Sequence, residues 1–185
     1  MTAEISEHDL ISRAQKGDAE AYGDLYEHYL DTIYRYIYYR VHNHQDAEDL
    51  TETVFLKAWQ SLPNYRIGKT PFVAWIYRIA HNMVIDHHRT RKETVPISEQ
   101  PHLRDEAVNL EEHILTDEKR QTLAQAIIKL SPLHQHVLIL RFINGLKPDE
   151  VAEVLKRNVG AVRVLQHRAL KALHALLITE EMTHV

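Results

Sequence analysis

The 185 residues contain no cysteine, which excludes disulfides and thiolate metal centres and suits a reducing compartment. Glycine and proline are scarce, 5 and 6 residues, too few for an all-β chain with its many tight turns. No run approaches the roughly 18 continuous apolar residues of a membrane helix. The opening stretch MTAEISEHDL lacks the basic start and apolar run of a secretory signal. The expectation is a cytoplasmic protein with no membrane contact of its own. An excess of positive charge is also missing: the formal net charge is −4, so the total does not announce a nucleic-acid binder.

What is present favours packed helices. Hydrophobic residues make up 44% of the chain, enough for a core and too many for wholesale disorder. Leu, Ala, Glu and Arg are abundant and favour helix. The charge is unevenly spread. Residues 1–60 carry 12 acidic against 5 basic side chains, residues 71–92 carry 4 basic against 1 acidic, and residues 141–174 carry 7 basic against 3 acidic. Two basic islands in an acidic chain fit phosphate binding, and fit two solvated helix faces equally well.

Three- and four-residue spacing of apolar side chains predicts helices over 6–16, 19–41, 46–62 and 71–91. Ser6 and Asp46 are the candidate N-caps of the first and third. Seven of the nine tyrosines lie between Tyr22 and Tyr39, which reads as an aromatic core stripe or as a base-stacking platform. The stretch ETVPISEQPHLRDEAVN, 93–109, has no sustained period and reads as a linker. Helices are predicted again over 110–130, 132–142, 148–156 and 159–179. The fold class is therefore all-α: two small helical domains, 1–92 and 110–179, joined by a flexible linker at 93–109, with a tail at 180–185.

The sharpest motif is KPDEVAEVLKRNVGAVRVLQHRALKALH, 147–174, which reads as a helix-turn-helix. Val151, Ala152, Val154 and Leu155 give the first helix a buried face, and small Ala152 permits a close neighbour. Asn158 is positioned to cap the second helix. That helix is expected to bury Val162, Leu165, Ala169, Leu170 and Leu173, with Arg163, Gln166, His167 and Lys171 outward. The start of such a helix enters the DNA major groove, where Arg recognises guanine. An ordinary helical hairpin with a basic outer face fits the same pattern. The segment 71–92, PFVAWIYRIAHNMVIDHHRTRK, adds aromatics, an Asn among apolar residues and a basic end.

Three motifs in order resemble the extracytoplasmic-function branch of bacterial sigma factors, from about Leu10 to Leu177. They are DAEDLTETVFLKAW (46–59), FVAWIYRIAHNMVIDHHR (72–89), and LSPLHQHVLILRFINGLKPDEVAEVL (130–155) with VGAVRVLQHRALKAL (159–173). The resemblance implies a transcription-initiation subunit with core RNA polymerase, promoter DNA and an anti-sigma factor as partners. It implies no cofactor, no metal and no catalytic residue. Asp46, Glu48, Asp49, Leu50 and Phe55 would dock on core polymerase. Arg78, Asn82, Asp86, Arg89, Arg91 and Lys92, with the 61–70 loop, would open and read the minus-ten element. Asn158, Gly160, Arg163, His167 and Arg168 would read the minus-thirty-five element. The linker would set the distance between the two elements. There are departures. Glu52-Thr53 replace the usual Gln or Ala followed by Glu. Lys156-Arg157-Asn158 replace Gly-Ile-Ser in the helix-turn-helix turn. Gly160-Ala161-Val162-Arg163-Val164 replace Gly-Thr-Val-Lys-Ser, so the promoter sequence does not carry over.

A helix-turn-helix repressor or activator would explain 147–174 but leave DAEDL (46–50) and the helix from Trp75 to Arg91 without a task. The 14 histidines prompt a metal protein, yet no HExxH or His-carboxylate set stands at ligand spacing on one helix. A helical adaptor would leave the basic islands unexplained.

Overall fold

The computed structural model describes residues 6–94 and 117–183, with side chains at 6–91 and 122–179. Among them are eight α-helices and no strand: α1 Glu7–Gln15, α2 Ala19–Val41, α3 His44–Ser61, α4 Phe72–Thr94, α5 Asp117–Lys129, α6 Pro132–Leu138, α7 Pro148–Leu155 and α8 Val159–Thr183. The chain divides into two compact units, one holding α1–α4 and the other holding α5, α6, the start of α7 and α8. The all-α expectation holds. The expected linker beyond Thr94, the start of the expected helix at 110–116 and the last two residues lie outside the described residues.

In the first unit the periodic apolar positions become the core. Leu25, Ile33, Tyr36 and Ile37 of α2 face Val54, Phe55 and Ala58 of α3 and Ile76, Tyr77 and Ala80 of α4, all buried. Of the seven tyrosines in the stripe, Tyr29 and Tyr36 are in the core and the other five are half-buried. Tyr36 packs edge-on to Tyr77 at 5.4 Å, and Tyr26 to Phe55 at 4.6 Å. Its hydroxyls find acceptors, as buried polar groups must: Tyr22 donates to the Phe55 carbonyl at 2.5 Å, and Tyr29 bonds the Glu7 carboxylate. Gln15, at the end of α1, donates to the carbonyls of Leu62 and Tyr65 at 2.9 and 2.7 Å, fixing the short 3₁₀ turn Leu62–Asn64 that follows α3.

Helix ends follow local chemistry. Ser6 caps α1 as expected, accepting from the Asp9 amide. The cap of α3 is a correction. His42 takes a left-handed conformation, φ 54°, and ends α2. The chain therefore re-enters helix at His44, and Asn43, not Asp46, accepts the Asp46 amide at 2.9 Å. Asp46 lies inside the first turn, where its charge still complements the helix dipole. In α4, Ile85 is exposed although its spacing is apolar.

In the second unit α5, α6 and α8 enclose Ala126, Ile127, Val137, Leu140, Val162 and Ala169. Gln135 donates to the carbonyls of Ile128 and Leu130 at 2.7 and 2.9 Å, closing the end of α5. The expected helix over 132–142 changes character: after α6 the chain makes a π turn, Ile139–Ile143. Gly145, at φ 70°, completes the reversal that leads to α7.

Candidate nucleic-acid interface

The helix-turn-helix is built from α7 and α8. Pro148 opens α7, and Glu150 reaches back to the Lys147 amide at 2.7 Å, half of a capping box. Val151, Ala152 and Val154 are buried and Leu155 is half-buried. The helix ends in a Schellman motif: the Arg157 amide donates to the Ala152 carbonyl at 2.9 Å, the Lys156 amide to that of Glu153 at 3.4 Å, and Lys156 sits at φ 52°. Asn158 then caps α8, its Oδ1 accepting the Ala161 amide at 2.7 Å. A β-carbon on Gly160 would stand 3.3 Å from that same Oδ1, so glycine there leaves the cap uncrowded.

Beyond the cap, α8 presents one exposed face: Gly160, Arg163, Val164, His167, Arg168 and Lys171. The five minus-thirty-five candidates, Asn158, Gly160, Arg163, His167 and Arg168, all lie on this exposed start. Two expectations are corrected. Leu170 is 41% exposed although Ala169 beside it is wholly buried, because it stands at the edge of the buried stripe, on the side of exposed Arg163 and His167. Gln166 is half-buried, and its Oε1 accepts from Arg141 Nε at 3.1 Å. Arg141 also bonds the Leu146 carbonyl, so one guanidinium ties the turn before α7 to α8. Nothing in the sequence pattern singled out Arg141.

In the first unit the docking candidates separate. Glu48 and Asp49 are exposed on α3, and Leu50 is half-buried. Phe55 is 4% exposed and packed on Tyr26, so it seats α3 on α2 and offers no surface. The apolar side chain this helix does expose is Leu56, at 58%, two turns beyond Glu48 and one beyond Glu52. Spacing missed it because it lies off the core stripe. Asp46 is engaged within the unit: its Oδ2 meets Arg91 Nη1 at 3.1 Å and His87 Nε2 at 3.5 Å.

On α4, Asn82, Asp86 and Arg89 are exposed, with Arg89 and Asp86 paired at 3.2 Å, and Arg78 is partly exposed. Arg91 is the partner of Asp46, joining a docking candidate to a minus-ten candidate. The side chain of Lys92 lies outside the described residues. At the start of α4, Phe72 and Trp75 form a ring cluster with Tyr65 of the preceding loop, centroids 5.0–5.6 Å apart, and the Tyr65 hydroxyl donates to the Thr70 carbonyl at 2.5 Å. The loop between α3 and α4 is thereby built on aromatics. Behind α4, burial and the neighbouring Arg40 push the His81 imidazole down to about 4. His81 Nδ1 lies 3.1 Å from the Tyr36 hydroxyl, within hydrogen-bond distance, and at neutral pH the ring is uncharged. Burial pushes His42 down to about 4 as well, with Arg40 and His88 adding to it. Among the described residues no group of three His, Asp or Glu side chains is placed to hold a metal. No helix there is long and apolar enough to cross a membrane.

A four-helix unit and a helix-turn-helix unit with a basic outer face define a modular helical DNA-binding protein. Residues 25–94 match the family model of sigma-70 region 2, and residues 120–173 match that of sigma-70 region 4. The chain is 38% identical over 171 residues to the ECF RNA polymerase sigma factor BldN of Streptomyces coelicolor, covering 91% of this chain and 65% of that protein. It is 30% identical over 177 residues to the ECF RNA polymerase sigma factor SigW of Bacillus subtilis, covering 90% and 94%. In fold it is similar to the sigma factor RpoE crystallised in complex with the anti-sigma factor NepR from Bartonella quintana. The TM-score is 0.70 at 22% identity, over 84% of this chain and 95% of that one. The chain belongs to the ECF family of RNA polymerase sigma factors. The repressor alternative is not favoured, since it leaves the region 2 match without a task.

Proposed function

We propose that the chain directs bacterial core RNA polymerase to promoters through three surfaces, with α8 reading the upstream element, α4 and its preceding loop the downstream element, and α3 docking on the polymerase. The observation that carries this reading is the exposed face at the start of α8, cationic and capped by Asn158, in a chain whose other unit matches region 2. Arg163, His167 and Arg168 supply hydrogen-bond donors for base edges and phosphates, and the open approach at Gly160 lets the groove come close.

On α4, Asn82 supplies an amide and Arg78, Arg89 and Lys92 supply positive charge for the separated strand. Opening a base pair and flipping a base cost a few kcal/mol. The aromatic cluster that shapes the 61–70 loop gives the flipped base a rigid wall. Asp86 orients Arg89, and Arg91 holds Asp46 and thereby the start of α3. Glu48, Asp49, Glu52 and Leu56 form the docking face: acidic side chains around one apolar anchor, suited to a basic surface with an apolar notch. Leu50 and Phe55 keep that face in place.

The residues 1–92 act as region 2, 93–109 as the spacer between the two elements, and 110–179 as region 4. Phosphodiester chemistry belongs to the polymerase, so the chain needs no cofactor and is no enzyme by itself. It acts in the cytoplasm, where the polymerase is. An anti-sigma factor is its regulatory partner, by analogy with the RpoE–NepR complex.

Run-off transcription tests the reading. The protein is added to bacterial core polymerase with a pool of promoter fragments, and the start sites are sequenced. Core-dependent initiation at sites sharing two spaced elements is expected. Tight duplex binding without core, and no initiation, would instead identify a repressor.

A further inference from the structure

Val164 is the one apolar side chain on the exposed face of α8 from its start to Arg168. It is 50% exposed, between Arg163 and, one turn on, His167 and Arg168. A single exposed apolar residue is ordinary on a protein surface. The position of this one is not. A β-branched residue is a poor choice for a solvated helix site, where it gains no packing to offset its restricted rotamers. Helical side chains lean towards the helix N-terminus and cover the turn before them. The residues four and three positions before Val164 are Gly160, which has no side chain, and Ala161, which has a single methyl, so little on the helix covers the isopropyl group from that side. The cap at Asn158 holds this turn in place.

We propose that Val164 is a specificity-determining residue that reads the C5-methyl group of a thymine in the upstream promoter element. Thymine alone offers a methyl group in the major groove, and apolar side chains recognise it there. Arg163 and Arg168 bring the phosphates and guanine acceptors to either side, and Val164 supplies the apolar contact between them. This rests on the upstream-element role proposed above for α8. It assigns to this chain a readout that differs from the hydroxyl usual at this position in the family it resembles.

The test uses holoenzyme reconstituted from the full chain and core polymerase, on promoters selected in the run-off experiment. Each thymine of the upstream element, on both strands, is replaced in turn by uracil, which removes only the methyl group. Affinity is measured at one fixed salt concentration for the wild type and for Val164→Ala. The variant loses only exposed atoms and gains helix propensity, so it folds, and circular dichroism verifies this. At one thymine at least, uracil should weaken the wild type about fourfold, the loss expected when one methyl group forfeits its apolar contact. The same change should weaken Val164→Ala less than about twofold, on the same scale. Indifference of the wild type to every thymine methyl overturns the proposal. So does an equal loss in both proteins, or an upstream element without an A·T pair. Failure of the holoenzyme to select any shared upstream element overturns the role of α8 itself, and is told apart because the selected start sites then share no sequence at that upstream distance.

Discussion

Lys156 occupies a place that a β-carbon fits poorly, and replacing it with glycine should stabilise the second unit. It is the left-handed residue of the Schellman motif that ends α7, at φ 52°. An L-residue with a side chain gives up roughly 1–2 kcal/mol there. Glycine removes that strain but adds freedom to the unfolded chain, which takes back about 0.5–1 kcal/mol. The expected net gain is about 1 kcal/mol, and for a unit of this size that raises the unfolding midpoint by about 4–8 °C. Both tryptophans, Trp59 and Trp75, lie on α3 and α4, so fluorescence follows the first unit and far-ultraviolet circular dichroism follows both. The part of the dichroism change without a fluorescence counterpart reports the second unit and should move up. Lys156→Ala is the control, because it removes the charge and keeps the β-carbon. If Lys156→Ala raises the midpoint as much as Lys156→Gly, the gain comes from charge and the dihedral argument is refuted. A fall in the glycine variant refutes it outright.

The remaining predictions concern other single features. Asn158→Ala removes the α8 cap and should destabilise the second unit by about 1 kcal/mol, whereas Asn158→Ser should keep most of it; thermal unfolding separates the two. The His42 imidazole is pushed down to about 4 in the folded chain, so the unfolded chain takes up its proton first. Its contribution is full above about pH 6.5 and is lost as pH falls towards 4. Urea titrations across that window should show stability falling less in His42→Asn, which tolerates the left-handed backbone and does not titrate. Leu56→Ser should weaken binding to core polymerase about tenfold without changing the melting curve, as expected for the loss of one exposed apolar anchor. Arg91→Ala should cost less than about 1 kcal/mol, since its pair with Asp46 is partly solvated.

Much of this fold was legible because helical spacing is a local property. The core faces of α2, α3 and α7, the cap at Ser6 and the cap at Asn158 all follow from neighbours within a turn or two. The expectations that shifted depend on longer range or on a choice between equals. Asn43 and Asp46 are both good caps, and only the left-handed turn at His42 decides between them. Ile85 and Leu170 have apolar spacing, but whether an element covers them is a tertiary fact. The joining of Asp46 to Arg91 spans 45 positions, and no local pattern announces it. Phe55 and Leu56 show the limit at the site itself: adjacent apolar residues on one helix, one seated in the core and one facing outward. Arg141 was invisible because its role depends on the π turn.

That π turn, Ile139–Ile143, has a consequence for how this segment tolerates change. A π turn winds one residue more into a helical turn than regular helix does and so shifts the phase of everything after it, by about 100°. Six successive residues from Gln135 to Leu140, across the end of α6 and the start of the π turn, are buried, whereas Phe142 stands 55% exposed and Arg141 reaches Leu146 and Gln166. Orientation of the helix-turn-helix is thus encoded here by residue count more than by residue type. Exchanges among Ile, Leu and Val at 139–140 leave the phase intact. Deleting one residue would restore regular helix and rotate α7 away from its seat, so in a lineage of such proteins this stretch should accept substitution far more readily than insertion or loss.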